Sequence, residues 1–461
     1  MKKQLKIALL TTVGISFPSI IQAQNSGNVI DLLLKKNQIT QREADSLKIK
    51  AAFDEKVNTQ NKSLSIGLEF RPRLEFRDGY RQLPNDTTKV SFFGTQRSRL
   101  YFSYSQPKFK FHTSIQDLRV WGQYGQTSTT GSLQVFEAYV DANLTENLLI
   151  RLGRQKVELD NGRLFSAANW SQAGRAHDGM NLIYLKGKVS SELMCFFNQT
   201  AENVYGTNFS PTTFSNYKSL QVHYLKLKLP LNLTLTTINS ADGYQSKTTP
   251  NTMYVRGNSG GRLEFDKGRW YVTMSGYYQY GQLQSGQRIA AYYLQPEIQF
   301  KTLKLTARLG TEYMSGDNST KASVYSKSFV PLYGVAWKFM GNMDYFTTFP
   351  TDTKKGGLIN PYLFLNYAFN NKFSIRADAH LFYSQNKILD SKKNVINSYL
   401  GFENDLSCKY KANGFTTIDF GFSYMNATKS MEFLRGGKSS ITPVWSYLMV
   451  TFNPELFSKK W

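Results

Sequence analysis

The stretch SLSIGLEFRPRLEFR, residues 63–77, decides the fold. Ile66, Leu68, Phe70, Leu74 and Phe76 share one parity, while Glu69, Arg71, Arg73, Glu75 and Arg77 share the other. A period of two is that of a β-strand whose two faces meet unlike surroundings. Pro72 sits on the apolar face and removes a ladder donor, so it marks an edge or a bulge. The same alternation recurs down the chain. Leu100, Phe102 and Tyr104 oppose Arg97, Arg99 and Tyr101; Phe136, Ala138 and Val140 oppose Glu137, Tyr139 and Asp141; Ile375, Ala377, Ala379 and Leu381 oppose Arg376, Asp378 and His380.

A soluble sandwich also alternates, so the spacing of the strands has to discriminate. About eighteen strand candidates are separated by alternately short and long connections. The short ones fall near 106–107, 145–146, 187, 230, 266–268, 301, 370–371 and 412–414. The long ones cover roughly 78–91, 122–132, 158–177, 199–217, 241–253, 281–289, 315–357, 385–397 and 425–444. Nine long and eight short connections describe an all-β, antiparallel up-and-down transmembrane barrel of about eighteen strands, with both termini at the short-turn end. Residues 315–357 also hold Val330, Leu332, Val335, Trp337 and Phe339, enough for one more hairpin.

The bulk composition agrees. Mean hydropathy is −0.40, and no apolar run after Ala23 is long enough for a transmembrane helix. A membrane protein of that composition must be a barrel, because half of each strand is polar. Of the 28 Tyr and 32 Phe, many fall near strand ends, as aromatic girdles do. Tyr447, Met449 and Phe452 make a closing aromatic strand, the kind of signal read by barrel-assembly machinery, although nine further residues lead to Trp461.

Ahead of the barrel, Lys2, Lys3 and Lys6, the apolar stretch Ile7 to Ile21 and the small Ala23 have the layout of a secretory signal peptide, residues 1–23. Residues 24–62 differ in pattern from the strands: Val29, Ile30, Leu32, Leu33, Ile39, Ala44, Leu47 and Ile49 recur at helical spacing, and Thr40 with Glu43 fits a capping box. This segment reads as a short helical periplasmic arm or linker, with the barrel occupying 63–461. These features together imply a Gram-negative-type outer membrane, with both termini periplasmic.

Loss of the three leader lysines lowers the formal charge from +23 to +20. Export and the absence of a binding motif exclude nucleic acid, so the charge suits anionic solutes or lipopolysaccharide among the outer-membrane lipids. Only Cys195 and Cys408 occur, both in apolar strand-like runs. None of His112, His177, His223 and His380 lies in a hydrolase or zinc motif, and Asp178, Glu137 and Glu312 have no EF-hand spacing. No enzyme, metal or cofactor is expected.

The chemistry is in the polar face. Arg71, Arg73, Arg77, Arg97, Arg99, Arg119 and Arg151 fall on lumen-facing positions of the first strands, interspersed with Glu69, Glu75, Asp117 and Glu137. Such a wall either attracts and orients anions bidentately or forms a self-neutralised ladder that sets the pore's shape. The third long connection and its flanks are rich in Arg, Trp and amides: Arg154, Arg163, Asn169, Trp170, Gln172, Arg175 and Asp178. A loop of this kind folds into a lumen and constricts it, its indole stacking on sugar rings.

The run GRQK (153–156) and NGRLFSAANWSQAGRAHDGMNL (161–182), preceded by RPRLEFR, RSRLYF, QDLRVWGQ and EAYVD, resembles the alginate export family of outer-membrane porins. That resemblance implies a monomeric eighteen-stranded barrel with an electropositive lumen for acidic polysaccharide. Arg71, Arg73, Arg97, Arg99, Asp117, Arg119, Glu137, Arg154, Arg163, Trp170, Arg175 and Asp178 take the matching positions. The helical arm departs from that pattern and resembles the start of phosphate-selective porins. His177 also stands where a bulkier or apolar residue is usual. Together these readings describe a selective channel for an anionic or sugar-like solute; the alternative is a plugged barrel serving adhesion or envelope anchoring.

Overall fold

The computed structural model describes residues 62–461 except 129, 200, 203, 206–216, 247, 248, 250 and 251; the expected signal peptide and helical arm lie outside the described residues. The strands are β1 (Ser63–Asp78), β2 (Ser91–Gln106), β3 (Phe109–Val120), β4 (Gln134–Asn143), β5 (Leu148–Gln155) and β6 (His177–Lys186). Next come β7 (Val189–Phe197), β8 (Ser219–Lys228), β9 (Leu233–Gln245), β10 (Met253–Lys267), β11 (Trp270–Gln282), β12 (Arg288–Lys301) and β13 (Leu305–Met314). The two-residue β14 (Tyr325–Ser326) lies in a loop, and β15 (Leu358–Ala368), β16 (Phe373–Tyr383), β17 (Tyr399–Lys411), β18 (Thr416–Ala427), β19 (Val444–Phe452) and β20 (Glu455–Lys460) complete the set.

Hydrocarbon offers no hydrogen bonds, so a sheet that spans it must satisfy its own edges by closing. Each strand pairs antiparallel with the next, β13 pairs with β15, and β1 returns to the end of the chain. That last strand is in two pieces. β19 pairs with β1 from Val444 opposite Asp78 to Phe452 opposite Phe70, and β20 continues from Glu455 opposite Gly67 to Lys460 opposite Ser63. Pro454, which has no N–H, sits at the break, and its carbonyl accepts from Leu68 N at 3.1 Å. The nine residues after Phe452 are therefore the lower half of the eighteenth barrel strand, and β14 is a small parallel bridge to β12.

The long connections, 79–90, 121–133, 156–176, 198–218, 246–252, 283–287, 315–357, 384–398 and 428–443, all leave one end; the short turns all leave the other. The seventh, 315–357, forms no further barrel hairpin. Besides β14 it contains one 3-10 turn, Thr351–Thr353. The ninth carries α1 (Lys429–Arg435), capped by Thr428 Oγ1 accepting from Met431 N.

Burial is inverted relative to a soluble protein. Leu100, Leu152, Leu309, Leu406, Phe420 and Leu448 are exposed on the outer wall, while Arg97, Arg99, Glu312 and Glu403 are buried inside. That inversion is what a bilayer outside and a polar interior demand. Replacing Leu406, mid-strand on the outer wall, with Arg should cost about 2–4 kcal/mol of unfolding free energy in lipid vesicles, whereas Phe415→Arg at a turn should cost about 0–1. Equal costs at the two depths would contradict the assigned span.

Candidate functional site

The register of β1 and β2 places Arg71 opposite Arg97 and Glu69 opposite Arg99, all facing the lumen. Guanidiniums on adjacent strands about 4.8 Å apart repel unless acceptors separate them. Glu69 accepts from Arg97 Nε at 2.6 Å. Glu75 lies 3.0 Å from Arg73 and 2.8 Å from Arg77, and also accepts from Trp445 Nε1 at 3.0 Å. Arg99 donates to Gln116 at 3.0 Å and stacks 3.7 Å from the centre of the Phe136 ring.

The remaining donors take backbone carbonyls from the third long loop, 156–176. Arg71 donates to Asn169 O at 2.8 Å and to Ser171 O at 2.9 Å; Arg73 donates to Trp170 O at 3.2 Å; Arg97 donates to Ser171 O at 3.2 Å. Rigid guanidinium forks thus hold a loop whose carbonyls have no ladder partner. Arg97 is fully buried as a result.

The other end of this loop reaches the far wall. Asp160 accepts from Tyr224 and Thr236, each at 3.0 Å, and its burial pushes its carboxyl above the usual range. Asn161 donates to Gln295 at 3.0 Å, and Arg163 donates to Glu312 at 2.6 Å and to Val335 O at 2.8 Å. Loop 156–176 therefore links the β8–β13 wall to the β1–β2 wall.

Loop 315–357 packs onto it. Tyr333 N donates to Leu164 O at 2.8 Å, and Ser166 N donates to Tyr333 O at 3.1 Å. A Cβ on Gly334 would stand 1.8 Å from Arg163 O, so the close approach requires glycine there. Arg175 also donates to the carbonyls of Tyr333 and Gly334, and burial lowers its affinity for its proton. Further on, Asp344 accepts from Tyr80 and pairs with Arg81 at 3.1 Å; burial raises its carboxyl. Met343 N donates to Glu403 at 2.8 Å and Asn342 N to Asp405 at 3.2 Å. Phe329, Phe339 and Phe346 are buried in one apolar cluster with Phe196, Leu220 and Tyr293 of the wall. Between the two loops lies a cavity of about 470 Å³, bordered by Arg163, Arg175, His177, Tyr217, Tyr333 and Trp337.

The other expected residues divide into two groups. Arg151 pairs with Asp141 at 2.7 Å inside the lumen, and Glu137, also inside, lies 3.1 Å from Lys156. Trp170 meets Tyr447 edge-on at 4.9 Å and lies 5.0 Å from Arg73. Asp117 and Arg119 are not on the lumen wall. The ladder sets Gln116 opposite Arg99, so the even positions of β3 face inward and this pair stands outside, opposite Ser98 and Gln96. Arg154 and Asp178, paired at 2.5 Å, also occupy the outward parity, alternating with the buried Gln155 and His177. Phe136 is a further correction: a register shift opposite Ser114 and Ile115 turns it inward beneath Arg99.

Several residues escaped sequence reading. Arg256 pairs with Asp242 and Arg262 with Glu264 on the opposite wall; an arginine at every third rung of one parity was the available signal. Exposed lysines ring the short-turn mouth: Lys108, Lys188, Lys228, Lys304, Lys372 and Lys411. Seven of the eight short turns carry or adjoin an exposed Lys or Arg; the exception is 144–147, with Glu146.

A family model described as alginate export matches residues 62–427. Among solved structures, the chain is similar to OccAB1 of Acinetobacter baumannii, with TM-score 0.58 and 12% identity over 86% of this chain and 97% of that one. OpdK of Pseudomonas aeruginosa gives TM-score 0.58 at 9% identity, covering 86% and 99%. OprD of the same organism gives 0.57 at 10%, covering 86% and 96%. A search of curated proteins returned no match.

Arg97→Ala leaves Glu69 buried without its cation and should lower stability by about 3–5 kcal/mol. Arg154→Ala breaks an exposed pair and should change it by under about 1 kcal/mol. Guanidinium unfolding in vesicles measures both; similar losses would show that the inner wall is not what anchors loop 156–176.

Proposed function

We propose, given that the chain belongs to the alginate export family, that this outer-membrane porin is a selective channel for anionic or sugar-like solutes such as acidic oligosaccharides. The observation that carries the reading is the division of labour among its cations. The wall arginines Arg71, Arg73, Arg97 and Arg99 are engaged by carboxylates, amides and loop carbonyls, whereas Lys228, Lys304, Lys372 and Lys411 stand exposed at the short-turn mouth. A ring of one sign around an aqueous mouth concentrates counter-ions of the other.

Inside, a solute meets paired charges rather than bare ones. Arg151 with Asp141 and Arg308 with Glu297 offer donors already shared with carboxylates. Shared donors hold a passing anion weakly enough to release it, as conduction requires. Arg175, Tyr217 and Trp337 beside the loop cavity join one cation to two aromatic faces, a chemistry suited to an acidic sugar. Nothing in this reading needs a catalytic step.

A second reading has support too. Loops 156–176 and 315–357 fill much of the lumen with buried aromatic side chains, as a plugged barrel with an adhesive or anchoring role would require.

Planar-bilayer recording of the purified full chain separates the two. The channel reading expects steady conductance, a reversal potential favouring chloride over potassium, and block by acidic oligosaccharide. Replacing Lys228, Lys304, Lys372 and Lys411 together with Gln should lower the anion preference by roughly threefold or more. Absence of conductance would favour the plugged barrel; a cation preference in the unaltered chain would overturn the anionic cargo.

A further inference from the structure

The long connections do not carry their cations evenly. In loops 79–90 and 428–443 all but Lys89 are matched: Arg81 with Asp344, Arg435 with Asp352, Lys438 with Asp86 and Lys429 with Glu432. Loops 315–357 and 384–398 differ. Lys321, Lys327, Lys355, Lys387, Lys392 and Lys393 are exposed there, and among the described residues none has a carboxylate partner. Of the acids in these two loops, Asp344 and Asp352 are buried and paired with arginines. Asp317 and Asp390 turn their carboxylates to backbone amides, Lys327 N at 2.5 Å and Asn394 N at 2.8 Å.

These lysines belong to one built surface. β14 takes the place beside β12 above the end of β13, with Tyr325 opposite Arg288. Asp317 N and Ser328 Oγ each donate to Lys355 O at 2.7 Å, Ser319 N donates to Lys387 O at 2.9 Å, and Asn386 N donates to Gly356 O at 2.8 Å. Segments 317–328, 355–356 and 386–387 are thereby held side by side. Arg288 alternates with the buried Ile289, and Tyr325 and Lys327 with the buried Ser326, so these side chains point out from the wall. Gln385 donates to Tyr313 OH at 2.8 Å, which ties the same surface to an outward tyrosine below it. Lys355 and Lys393 hold left-handed backbones, φ 67° and 65°, where lysine costs conformational energy that glycine would not.

Beneath this rim Tyr292 and Tyr313 stack at 5.8 Å, and below them Leu294, Leu309 and Leu363 are exposed on the outer wall. Tyrosines at strand ends mark the boundary between acyl chains and headgroups. Arg288 stands four residues beyond Tyr292, about 10 Å along a tilted strand, and long basic side chains bend back toward that boundary. We propose that this rim binds the phosphate groups of a glycolipid of the lipopolysaccharide class, with Arg288, Lys327 and Lys387 on the phosphates and Tyr292 and Tyr313 against the upper acyl chains. Place and charge select this ligand. Long loops face outward in barrels of this class, and the outer leaflet carries lipids whose sugar headgroups are phosphorylated. Unmatched ammonium and guanidinium groups at that height attract phosphate. Counted from the short turns, Asp117 stands as high on β3 as Tyr313 on β13, but that sector carries Asp117 with Arg119 and Arg154 with Asp178, pairs already neutral. The site lies outside the lumen, so the inference stands whether or not the pore conducts.

Native mass spectrometry of the purified full chain in detergent tests it with three probes at equal concentration: lipid A bearing both phosphates, the same lipid with its phosphates removed, and inorganic phosphate. The expected result is retention of lipid A, roughly tenfold weaker retention of the dephosphorylated lipid, and none of inorganic phosphate. Arg288→Gln, Lys327→Gln and Lys387→Gln together should weaken lipid A binding by roughly tenfold or more, while Arg119→Gln with Arg154→Gln leaves it unchanged. Heat-modifiable mobility checks that each variant barrel is folded, and the comparison of probes on the unaltered chain decides the matter where a variant does not fold. Equal retention of the lipid with and without its phosphates, or retention of inorganic phosphate alone, would overturn the proposal. So would no loss in the triple variant, or an equal loss in the Arg119 and Arg154 variant.

Discussion

Everything in this molecule depends on one constraint: within hydrocarbon, every backbone amide must find its partner in the protein. An open sheet of this size would present two bare edges to lipid. The chain closes them by bringing β1 against β19 and β20, accepting a break at Pro454 to carry the last strand to the level of Ser63. Closure creates an inside, and the inside then has to solve a charge problem. Arginines at alternate positions of neighbouring strands are pressed together in a region with little water. They are stable there because carboxylates, amides and loop carbonyls occupy their donors.

The third long loop owes its position to that surplus of donors. Its carbonyls at Asn169, Trp170 and Ser171 lie outside any ladder, and the wall at Arg71, Arg73 and Arg97 supplies the missing hydrogens. Once it lies across the lumen, it offers a second edge, at Leu164 and Ser166, to which loop 315–357 adds itself through Tyr333. Apolar burial completes what the hydrogen bonds begin, because lumen-facing Tyr293 and Phe382 are covered by Phe329 and Phe346. The interior is thus of two kinds: a basic wall that grips one loop and an apolar wall that grips the other.

Electrostatics and topology then divide the barrel by height. At the short-turn mouth, lysines stand in water with little to neutralise them. In the middle, arginines are paired and rigid. At the long-loop end, Asp344 is buried by the loops and held partly toward its protonated form. An anion entering from the short-turn end would meet a field first and shaped, shared donors second. That ordering is the physical content of the proposed selectivity.

Alternation by itself determined the fold class, because a period of two with an apolar outward face has few other homes in an exported chain. It also determined the strand number and the order of long and short connections: turns are local, and a slip of one residue would turn every side chain to the wrong face. It could not determine which parity points inward where a register slips. Asp117 and Arg119 on β3 look like lumen residues until β2 pairs with them and shows that Gln116 faces Arg99; Phe136 changes face through a bulge. Nor could it show that loop 315–357 fills the lumen, since its Val330, Leu332, Val335, Trp337 and Phe339 read equally well as a hairpin. Those outcomes rest on contacts between residues far apart in sequence, Arg71 with Asn169, Arg163 with Glu312, Asp344 with Tyr80, and such contacts exist only once the barrel has closed around them.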